Sequence, residues 1–309
     1  MRTHTLAVGR TLVQALAALV LVPALAGAQS PAAAIHDGVV VDAAGGTAYI
    51  TGPNGDLAAI DLATGTERWT SGAAARPLAV TDSTLVAQAS PGAGEQLVVV
   101  SIDTERGAEK RRAKVALPNN LQAAVTDSAS QRTLVRGFLA GAGNVVVSWA
   151  IESRIARGAA VDDDTPDRAS GAARIDPETG ASVAVPADSV PDTSALSGLT
   201  LDGMMQLRSA DGQHLLRSQR SGDPLGPAPY RWTVTTASGE VVGVVGAATS
   251  VAPFVVSGSR LLHVAAASGY RDGDRFVQEP LRLRAVDLAS GAQLWTVPVR
   301  DTSSVLPPP

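Results

Sequence analysis

Short apolar runs rich in Val, Ile and Leu are separated along the chain by Gly, Pro, Asp and Ser, and no long stretch has helical periodicity. Representative runs are residues 39–42, 84–86 and 261–263. Runs of this length that are bounded by turn residues are typical of β-strands. The pattern therefore predicts an all-β fold.

The chain also contains an internal repeat. Residues 57–70 match residues 283–296 without a gap, and weaker copies occupy residues 99–107, 172–180 and 231–239. The repeat positions are Asp61, Gly65 and Trp69, then Asp103 and Gly107, then Asp176 and Gly180, then Gly239, and finally Asp287, Gly291 and Trp295. Recurrence of this kind predicts a repeat architecture.

Each copy predicts a strand, a tight reversal and an outgoing strand. An Asp or Thr side chain accepts a hydrogen bond from a backbone N–H two residues further on and so starts the turn. The Gly that follows supplies the positive φ that the reversal needs. In the fourth unit, Thr235 takes the place of the Asp and Val234 is the strand residue before it.

Two further apolar runs precede each copy, which gives four strands per unit, the content of a propeller blade. These runs are residues 123–127 and 133–135 in the third unit, and residues 199–202 and 214–216 in the fourth. The turn glycines are separated by 42, 73, 59 and 52 residues, so several blades must carry insertions. We predict a β-propeller of four-stranded antiparallel blades, with five blades and six as the alternative. A loop insertion is expected around residues 150–171.

Residues 1–28 have the pattern of a signal peptide. Two arginines precede an apolar run at residues 12–22, and Ala26-Gly27-Ala28 suits cleavage near the Ala28–Gln29 bond. The run is short for a hydrocarbon core of about 30 Å; an uncleaved membrane anchor is the alternative. Residues 29–309 are then expected to form one propeller domain in an extracytoplasmic compartment, either periplasmic or secreted.

Composition narrows the function classes. The 309 residues include no Cys, which excludes disulfides, thiol nucleophiles, zinc ribbons, iron–sulfur clusters and a lipid-modified N-terminal Cys. A net charge of −4 gives no electrostatic reason to expect nucleic acid as a partner. No second apolar run of about 18 residues follows the first, so the mature chain is not expected to span a membrane. We expect a monomer.

Candidate chemistry is sparse, and no catalytic or cofactor-binding residue is predicted. Asp162, Asp164 and Asp167 could offer oxygen ligands to calcium, but they lack the spacing and central Gly of a calcium loop, and a hydrated loop is the alternative. His214 and His263 lie on corresponding strands but have no third ligand that would predict a metal site. The basic run at residues 110–114 is expected to protect a strand edge, with a partner patch as the alternative.

The first and last copies resemble the pyrroloquinoline-quinone (PQQ) repeat. The resemblance rests on residues 46–50, 55–61 and 64–65 together with Trp69, and residues 259–296 are similar apart from an insertion. It implies a β-propeller in which the Trp of one blade docks against the neighbouring blade. Arg111, Ala184 and Gly243 stand where the Trp would be in the three middle units.

The resemblance to the PQQ repeat does not imply that this chain binds PQQ. Quinoprotein dehydrogenases of this resemblance use a larger propeller, a vicinal Cys pair at the quinone, a calcium ion and a catalytic Asp, whereas this chain has no Cys. No cofactor is therefore expected, PQQ included. Many relatives that share the repeat act as scaffolds, so we predict a non-catalytic β-propeller that binds a protein partner. The alternatives are a PQQ-dependent dehydrogenase-like protein and a carboxylate-based hydrolase with its site at the channel mouth.

Overall fold

The computed structural model describes residues 32–81, 83–89, 97–115, 131–140, 143–153, 168–190, 198–199, 204–265 and 268–300. In these ranges the regular structure is β-strand, apart from one 3-10 turn at Ala187–Ser189. None of the described residues forms a helix long and apolar enough to cross a bilayer. The predicted signal peptide lies outside the described residues.

Within the described ranges, five antiparallel sheets of four or five strands follow one another along the chain, and each is called a blade here. Blade 1 contains β1 (Ala33–His36), β2 (Val39–Asp42), β3 (Thr47–Thr51), β4 (Leu57–Asp61) and β5 (Glu67–Ser71). Blade 2 contains β6 (Arg76–Val80), β7 (Thr84–Gln88), β8 (Val98–Asp103) and β9 (Glu109–Lys114). Blade 3 contains β10 (Gln131–Leu139), β11 (Val145–Ser153), β12 (Arg168–Ile175) and β13 (Ser182–Val185).

The last two blades carry additions to the four-stranded plan. Blade 4 contains β14 (Gly198–Leu199), β15 (Met205–Arg208), β16 (His214–Arg220), β17 (Tyr230–Thr236) and β18 (Val241–Ala247). Blade 5 contains β19 (Phe254–Ser257), β20 (Arg260–Ala265), β23 (Arg282–Asp287) and β24 (Gln293–Pro298). A separate hairpin, β21 (Ser268–Asp272) with β22 (Arg275–Glu279), is inserted between β20 and β23.

Apolar clusters join neighbouring blades across an interface that we call a seam. Buried members of these clusters include Leu57, Leu85 and Val100 between blades 1 and 2, Val99, Val147 and Trp149 between blades 2 and 3, Trp232, Phe254 and Leu288 between blades 4 and 5, and Ile60, Leu262 and Leu283 between blades 5 and 1. Because the last blade packs against the first, the sheets are arranged around a ring. The predicted β-propeller of antiparallel blades is confirmed, with five blades in the described part of the chain.

The ring is joined at blades 5 and 1 by side-chain packing and by the segment that follows β24. Val299 N donates to Leu281 O at 3.0 Å within blade 5, and Arg300 N donates to Thr51 O of blade 1 at 2.9 Å. Strand β1 pairs with β2 and so adds a fifth strand to blade 1. The two ends of the described chain therefore meet without exchanging a strand between these two blades.

The strand positions predicted for residues 133–135 in the third unit and for residues 199–202 in the fourth are wrong, whereas residues 214–216 lie in β16, the second strand of the four-stranded plan, as predicted. Residues 133–135 belong to β10, the first strand of blade 3, and the second strand is β11; residues 123–127 lie outside the described ranges. In blade 4 the first strand of the four-stranded plan is β15, whereas residue 199 belongs to the added strand β14. Short apolar runs do not reveal which of them pair, so only the hydrogen-bonded register identified the strands.

The insertion predicted around residues 150–171 begins within β11 and ends within β12, and these two strands pair with each other. Ala150 pairs with Ser170, and Glu152 pairs with Arg168, as β11 and β12 extend away from the repeat turn. The residues between these strands, 154–167, lie outside the described ranges.

Candidate functional site

The antiparallel strands place the connections of each blade at two opposite ends of the ring. The connections between the third and fourth strands carry the repeat turns, and we call their end the turn end. The connections between the second and third strands leave from the opposite end, which we call the loop end. The two ends differ in what their residues do.

At the turn end, an Asp carboxylate organises four of the five repeat turns. Asp61 Oδ1 accepts hydrogen bonds from Ala63 N at 2.9 Å and Thr64 N at 3.0 Å. Equivalent bonds of 2.8–3.2 Å reach Asp103, Asp176 and Asp287. The hydrogen bond from Arg68, at 2.5 Å, is the largest of the contacts that lower the pKa of Asp61 to about 2. These carboxylates are therefore engaged in holding the turns.

The fourth repeat turn begins one residue later than the sequence alignment places it. Gly239 N donates to Thr236 O at 3.0 Å, and Thr236 Oγ1 accepts from Glu240 N at 3.1 Å. Thr236 therefore occupies the position of Asp61, and Thr235 occupies the strand position that was assigned to Val234. The turn is shorter than that of the first unit, in which Gly65 N donates to Asp61 O.

The two repeat tryptophans each contact the turn of the next blade. Trp69 Nε1 donates to Thr104 O in blade 2 at 2.9 Å, and Trp295 Nε1 donates to Leu62 O in blade 1 at 3.2 Å. A Cβ added to Gly107 would lie 2.6 Å from the Trp69 ring, and one added to Gly65 would lie 2.5 Å from the Trp295 ring. The turn glycines, with φ of 69° and 73°, thus leave the space that the indole rings fill.

Other residues occupy the Trp position in the middle blades. Arg111 Nε donates to Glu178 O of blade 3 at 3.3 Å, so an arginine bridges the seam between blades 2 and 3. Gly243 of blade 4 lies so close to Leu288 of blade 5 that an added Cβ would overlap the Leu288 carbonyl oxygen. The sequence marked both positions as departures from the repeat, but the bridging contact of Arg111 was not foreseen.

Among the described residues, blade 3 has no contact from its Trp position to the next blade. The other four blades have an irregularity in register after the repeat turn, whereas β12 and β13 pair without one. Val183, rather than Ala184, therefore lies opposite Arg174, and its side chain is 64% exposed. No described atom lies within 4 Å of a Cβ built on Gly239, the turn glycine of blade 4.

The predicted calcium ligands Asp162, Asp164 and Asp167 lie outside the described ranges. Within those ranges, no three His, Asp or Glu side chains come together in a group that could hold a metal ion. The described residues thus offer no ligand set for calcium beside a quinone.

The histidines of blades 4 and 5 are in sheet interiors. His263 is buried between these blades, with its ring centroid 5.0 Å from that of Trp232 in an edge-to-face arrangement. Burial, with a further contribution from the charge of Arg284, lowers the pKa of His263 to about 4, so the ring is neutral at physiological pH. The buried Nδ1 atoms of His263 and His214 have no hydrogen-bond partner. His263 therefore packs in the seam between blades 4 and 5 and places a titratable group there.

The basic run at residues 110–114 is held by local contacts. Lys110 lies 3.7 Å from Asp103, and Arg112 lies 2.7 Å from Glu109. These pairs lie on β8 and β9, the outer two strands of blade 2. The charges are thus spread over the outer edge of this sheet.

The loop end is uneven around the ring. The connection between the second and third strands spans residues 52–56 in blade 1, but residues 221–229 in blade 4, and it includes the hairpin β21–β22 in blade 5. Arg271 N of the hairpin donates to Leu225 O of the blade 4 loop at 3.0 Å. The loop at residues 221–229 and the hairpin at residues 268–279 therefore form one structure, which we call the projection.

Two large apolar side chains of the projection face solvent. Leu225 is 62% exposed and Phe276 is 66% exposed. Phe276 is the cross-strand partner of Arg271, the residue bonded to the Leu225 carbonyl. Sequence reasoning missed both residues, because a single apolar residue in a loop has no periodicity that distinguishes an exposed position from a buried one.

Comparisons with known proteins found matches among solved structures. A scan against protein-family models and a search of curated proteins each found no match. Among solved structures, BamB from Moraxella catarrhalis matches with a TM-score of 0.28 and 14% identity, covering 71% of this chain and 76% of BamB. The Cps50 (Swd1) β-propeller domain of Myceliophthora thermophila matches with a TM-score of 0.29 and 14% identity, covering 87% of this chain and 88% of that domain.

A quinohemoprotein alcohol dehydrogenase from Comamonas testosteroni also matches, with a TM-score of 0.28 and 12% identity. The match covers 82% of this chain and 58% of the dehydrogenase, so the chain spans little more than half of that enzyme. The β-propeller fold rests on the sheets and seams described above. None of them extends to a function.

Proposed function

We propose that this chain is an extracytoplasmic, monomeric and non-catalytic β-propeller that binds a protein partner at its loop end. The signal-peptide pattern of residues 1–28 supports the compartment. The repeat turns and seams hold the blades together at the turn end, which leaves the loop end as the place where the blades differ most. Binding residues are commonly carried by such variable connections on a rigid scaffold.

The observation that carries the proposal is the pair of exposed apolar side chains on the projection. Leu225 and Phe276 are donated by different blades, yet the bond between Arg271 N and Leu225 O holds their segments together. Two exposed arginines, Arg271 and Arg275, flank this apolar surface. Aromatic residues and arginine are enriched in protein interfaces, and exposed apolar clusters mark such sites.

The experiment is a crosslinking pull-down with the tagged full chain, expressed in its own cells and recovered from the extracytoplasmic fraction. N-terminal sequencing of the recovered chain tests cleavage near Ala28. The Leu225→Ser/Phe276→Ser double variant tests the projection. The Val241→Ser/Leu294→Ser double variant is the control, because these side chains are also exposed but lie on the outer strands of blades 4 and 5.

We expect the wild type and the control to capture the same protein in stoichiometric amount. The projection variant should bind that protein at least tenfold more weakly, since loss of two interface anchors costs more than about 1.4 kcal/mol. Equal capture by the projection variant would overturn the assignment of the surface. Absence of any stoichiometric partner would overturn the scaffold function.

A further inference from the structure

The two parts of the projection are attached to strands that meet at one seam. The loop at residues 221–229 connects β16 to β17 of blade 4, and the hairpin β21–β22 is inserted between β20 and β23 of blade 5. At the seam, the ring of His263 on β20 lies edge-to-face against that of Trp232 on β17. The bond between Arg271 N and Leu225 O joins the two parts. How the loop and the hairpin lie relative to each other therefore depends on the closure of the seam between blades 4 and 5.

A buried histidine and an arginine lie side by side on the strands that lead to the hairpin. His263 on β20 is the cross-strand partner of Arg284 on β23. His263 precedes the hairpin by five residues, and Arg284 follows it by five. His263 is 7% exposed and is the only buried histidine among the described residues. The seam therefore holds a titratable group close to the point where the hairpin leaves blade 5.

The charged side chains that blade 5 directs into this seam are cationic. Val286 of β23 belongs to the cluster shared with blade 4, so strand alternation places Arg284 and Arg282 on the same face. Strands β19 and β24 contain no titratable residue. Strand β1 packs through Ile35 against the opposite face of β20, so its His36 does not face the seam. The charge that acts on the His263 ring is that of Arg284.

Blade 4 contributes no acidic side chain to the opposite side of the seam. Leu216 of β16 and Trp232 of β17 belong to the cluster shared with blade 5, which identifies the face of each strand that lines the seam. The titratable residues on this face are His214, Arg220 and Tyr230. His214 lies toward the turn end, whereas Arg220 and Tyr230 lie beside the loop of the projection. The seam thus carries arginines from both blades and no carboxylate from the strands of blade 4.

Within the described sheets of blades 4 and 5, the only acidic residue is Asp287. It pairs with Arg260 and accepts hydrogen bonds in the repeat turn, so it lies at the turn end, away from the hairpin. The acidic residues of the projection, which belong to neither sheet, are Asp223, Asp272, Asp274 and Glu279. No carboxylate from the described strands of the two sheets is therefore placed to compensate a positive charge on His263.

Protonation of His263 would place a second positive charge beside Arg284 in a buried site. A buried charge without a compensating partner is costly, and like charges repel each other. Opening of the seam would admit water to both groups and remove that cost. In the closed seam the pKa of His263 is about 4, against 6.5 for an ordinary histidine, so the closed form is fully stable above about pH 6.5 and loses stability as the pH falls toward 4.

We propose that the seam between blades 4 and 5 is an acid-sensitive joint: neutral His263 keeps it closed, and protonation opens it, separates Leu225 from Phe276 and releases the protein partner. The inference rests on the proposed scaffold function, because it concerns the regulation of the same surface. Histidine is the side chain that most readily changes charge near physiological pH, and its protonation opens interfaces in pH-sensing proteins. Among the described residues no other seam holds a buried histidine, so the joint is specific to the seam that carries the projection.

The test is hydrogen exchange of individual backbone amides in the full chain, measured by NMR at pH 7 and pH 5. The Arg271 amide reports on the joint, because it donates to Leu225 O between blades 5 and 4. The Arg300 amide is the matched control, because it donates to Thr51 O between blades 5 and 1. The amides are compared by their protection factors, which divide out the intrinsic pH dependence of exchange.

We expect the protection of the Arg271 amide in the wild type to fall about twentyfold from pH 7 to pH 5, the factor that follows from pKa values of about 4 and 6.5. The protection of the Arg300 amide should not change. His263→Phe, which keeps a ring that cannot be protonated, should remove the fall at Arg271, and Arg284→Gln should reduce it. Unchanged protection of Arg271 in the wild type would overturn the joint. An equal fall at both amides, or a fall in both variants as large as in the wild type, would also overturn it.

A pull-down at the two pH values separates this proposal from the proposed function. The wild type should capture the partner more weakly at pH 5 than at pH 7, by up to about twentyfold, whereas His263→Phe should capture it equally at both. If the protection of Arg271 falls and no partner is captured at pH 7, the scaffold proposal alone is wrong. If the partner is captured but the protection does not fall, or if the wild type captures it equally at both pH values, the joint proposal alone is wrong.

Discussion

Blades 1 and 3 are built from the same repeat, but the residues at their Trp positions lie in opposite environments. Trp69 of blade 1 fills the space above Gly107 and donates to Thr104 O across the first seam. In blade 3 the residue at this register position is Val183, which is exposed, and the turn glycine of blade 4, Gly239, has open space where a Cβ would lie. The Trp position is therefore part of a packed interface in blade 1 and part of the exposed surface in blade 3.

The difference shows that the repeat separates two tasks. The Asp and Gly positions make the turn within a blade, and they are kept at blade 3 as Asp176 and Gly180. The Trp position joins a blade to the next one, and it can change without loss of the turn. A blade can therefore keep its fold while the face that carries the Trp position becomes exposed.

Removal of an indole ring that docks on the next blade should lower the free energy of unfolding most. We expect Trp295→Ala to lower the free energy of unfolding by about 3 kcal/mol, because it empties the space between blades 5 and 1. Trp295→Phe, which keeps a ring but removes the N–H donor, should cost about 1 kcal/mol. Urea unfolding measures both, and a loss below about 1 kcal/mol for Trp295→Ala would contradict the docking role.

Acid should weaken the seam between blades 4 and 5 through His263. Its folded-state pKa of about 4 lies below the ordinary value of 6.5, so between these values the unfolded chain binds the proton and the folded chain does not. Stability is thus fully present above about pH 6.5 and falls by up to about 3 kcal/mol as the pH drops to about 4. Urea unfolding across this range should show a shallower pH dependence for His263→Leu. Equal slopes for the wild type and His263→Leu would contradict this role of His263.

The smallest effect should come from adding a methyl group to the turn glycines. Gly107 and Gly239 both have positive φ, at 69° and 91°, so Ala strains each by about 1 kcal/mol. Gly107→Ala should cost about 1 kcal/mol more than Gly239→Ala, because its Cβ also meets the Trp69 ring. Thermal and urea unfolding of the two variants test this difference. Equal losses would show that the Trp69 ring does not restrict the Gly107 position.

Much of the fold could be predicted from local sequence. The turn chemistry of Asp61 and Gly65 depends on residues adjacent in the chain, and so the repeat and the number of blades were readable. The placement of strands in blades 3 and 4 was not, since several apolar runs compete and the hydrogen-bonded register decides among them. The fourth unit was misaligned by one residue because Thr235 and Thr236 are equally able to start a turn.

The projection, unlike the repeat turns, could not be predicted from local sequence. Leu225 and Phe276 are 51 residues apart in sequence, and their segments are joined by the bond between Arg271 N and Leu225 O.

The sequence by itself determined the all-β class, the antiparallel blades and the repeat turns, because periodicity, Asp side chains and positive-φ glycines act over a few residues. The packing of one blade against the next decided which faces are buried, because those faces come from segments that are distant in sequence. The same physics explains why Arg111 could replace a Trp as a bridge: a donor reaching the carbonyl of Glu178 is defined by the neighbouring blade and not by the repeat.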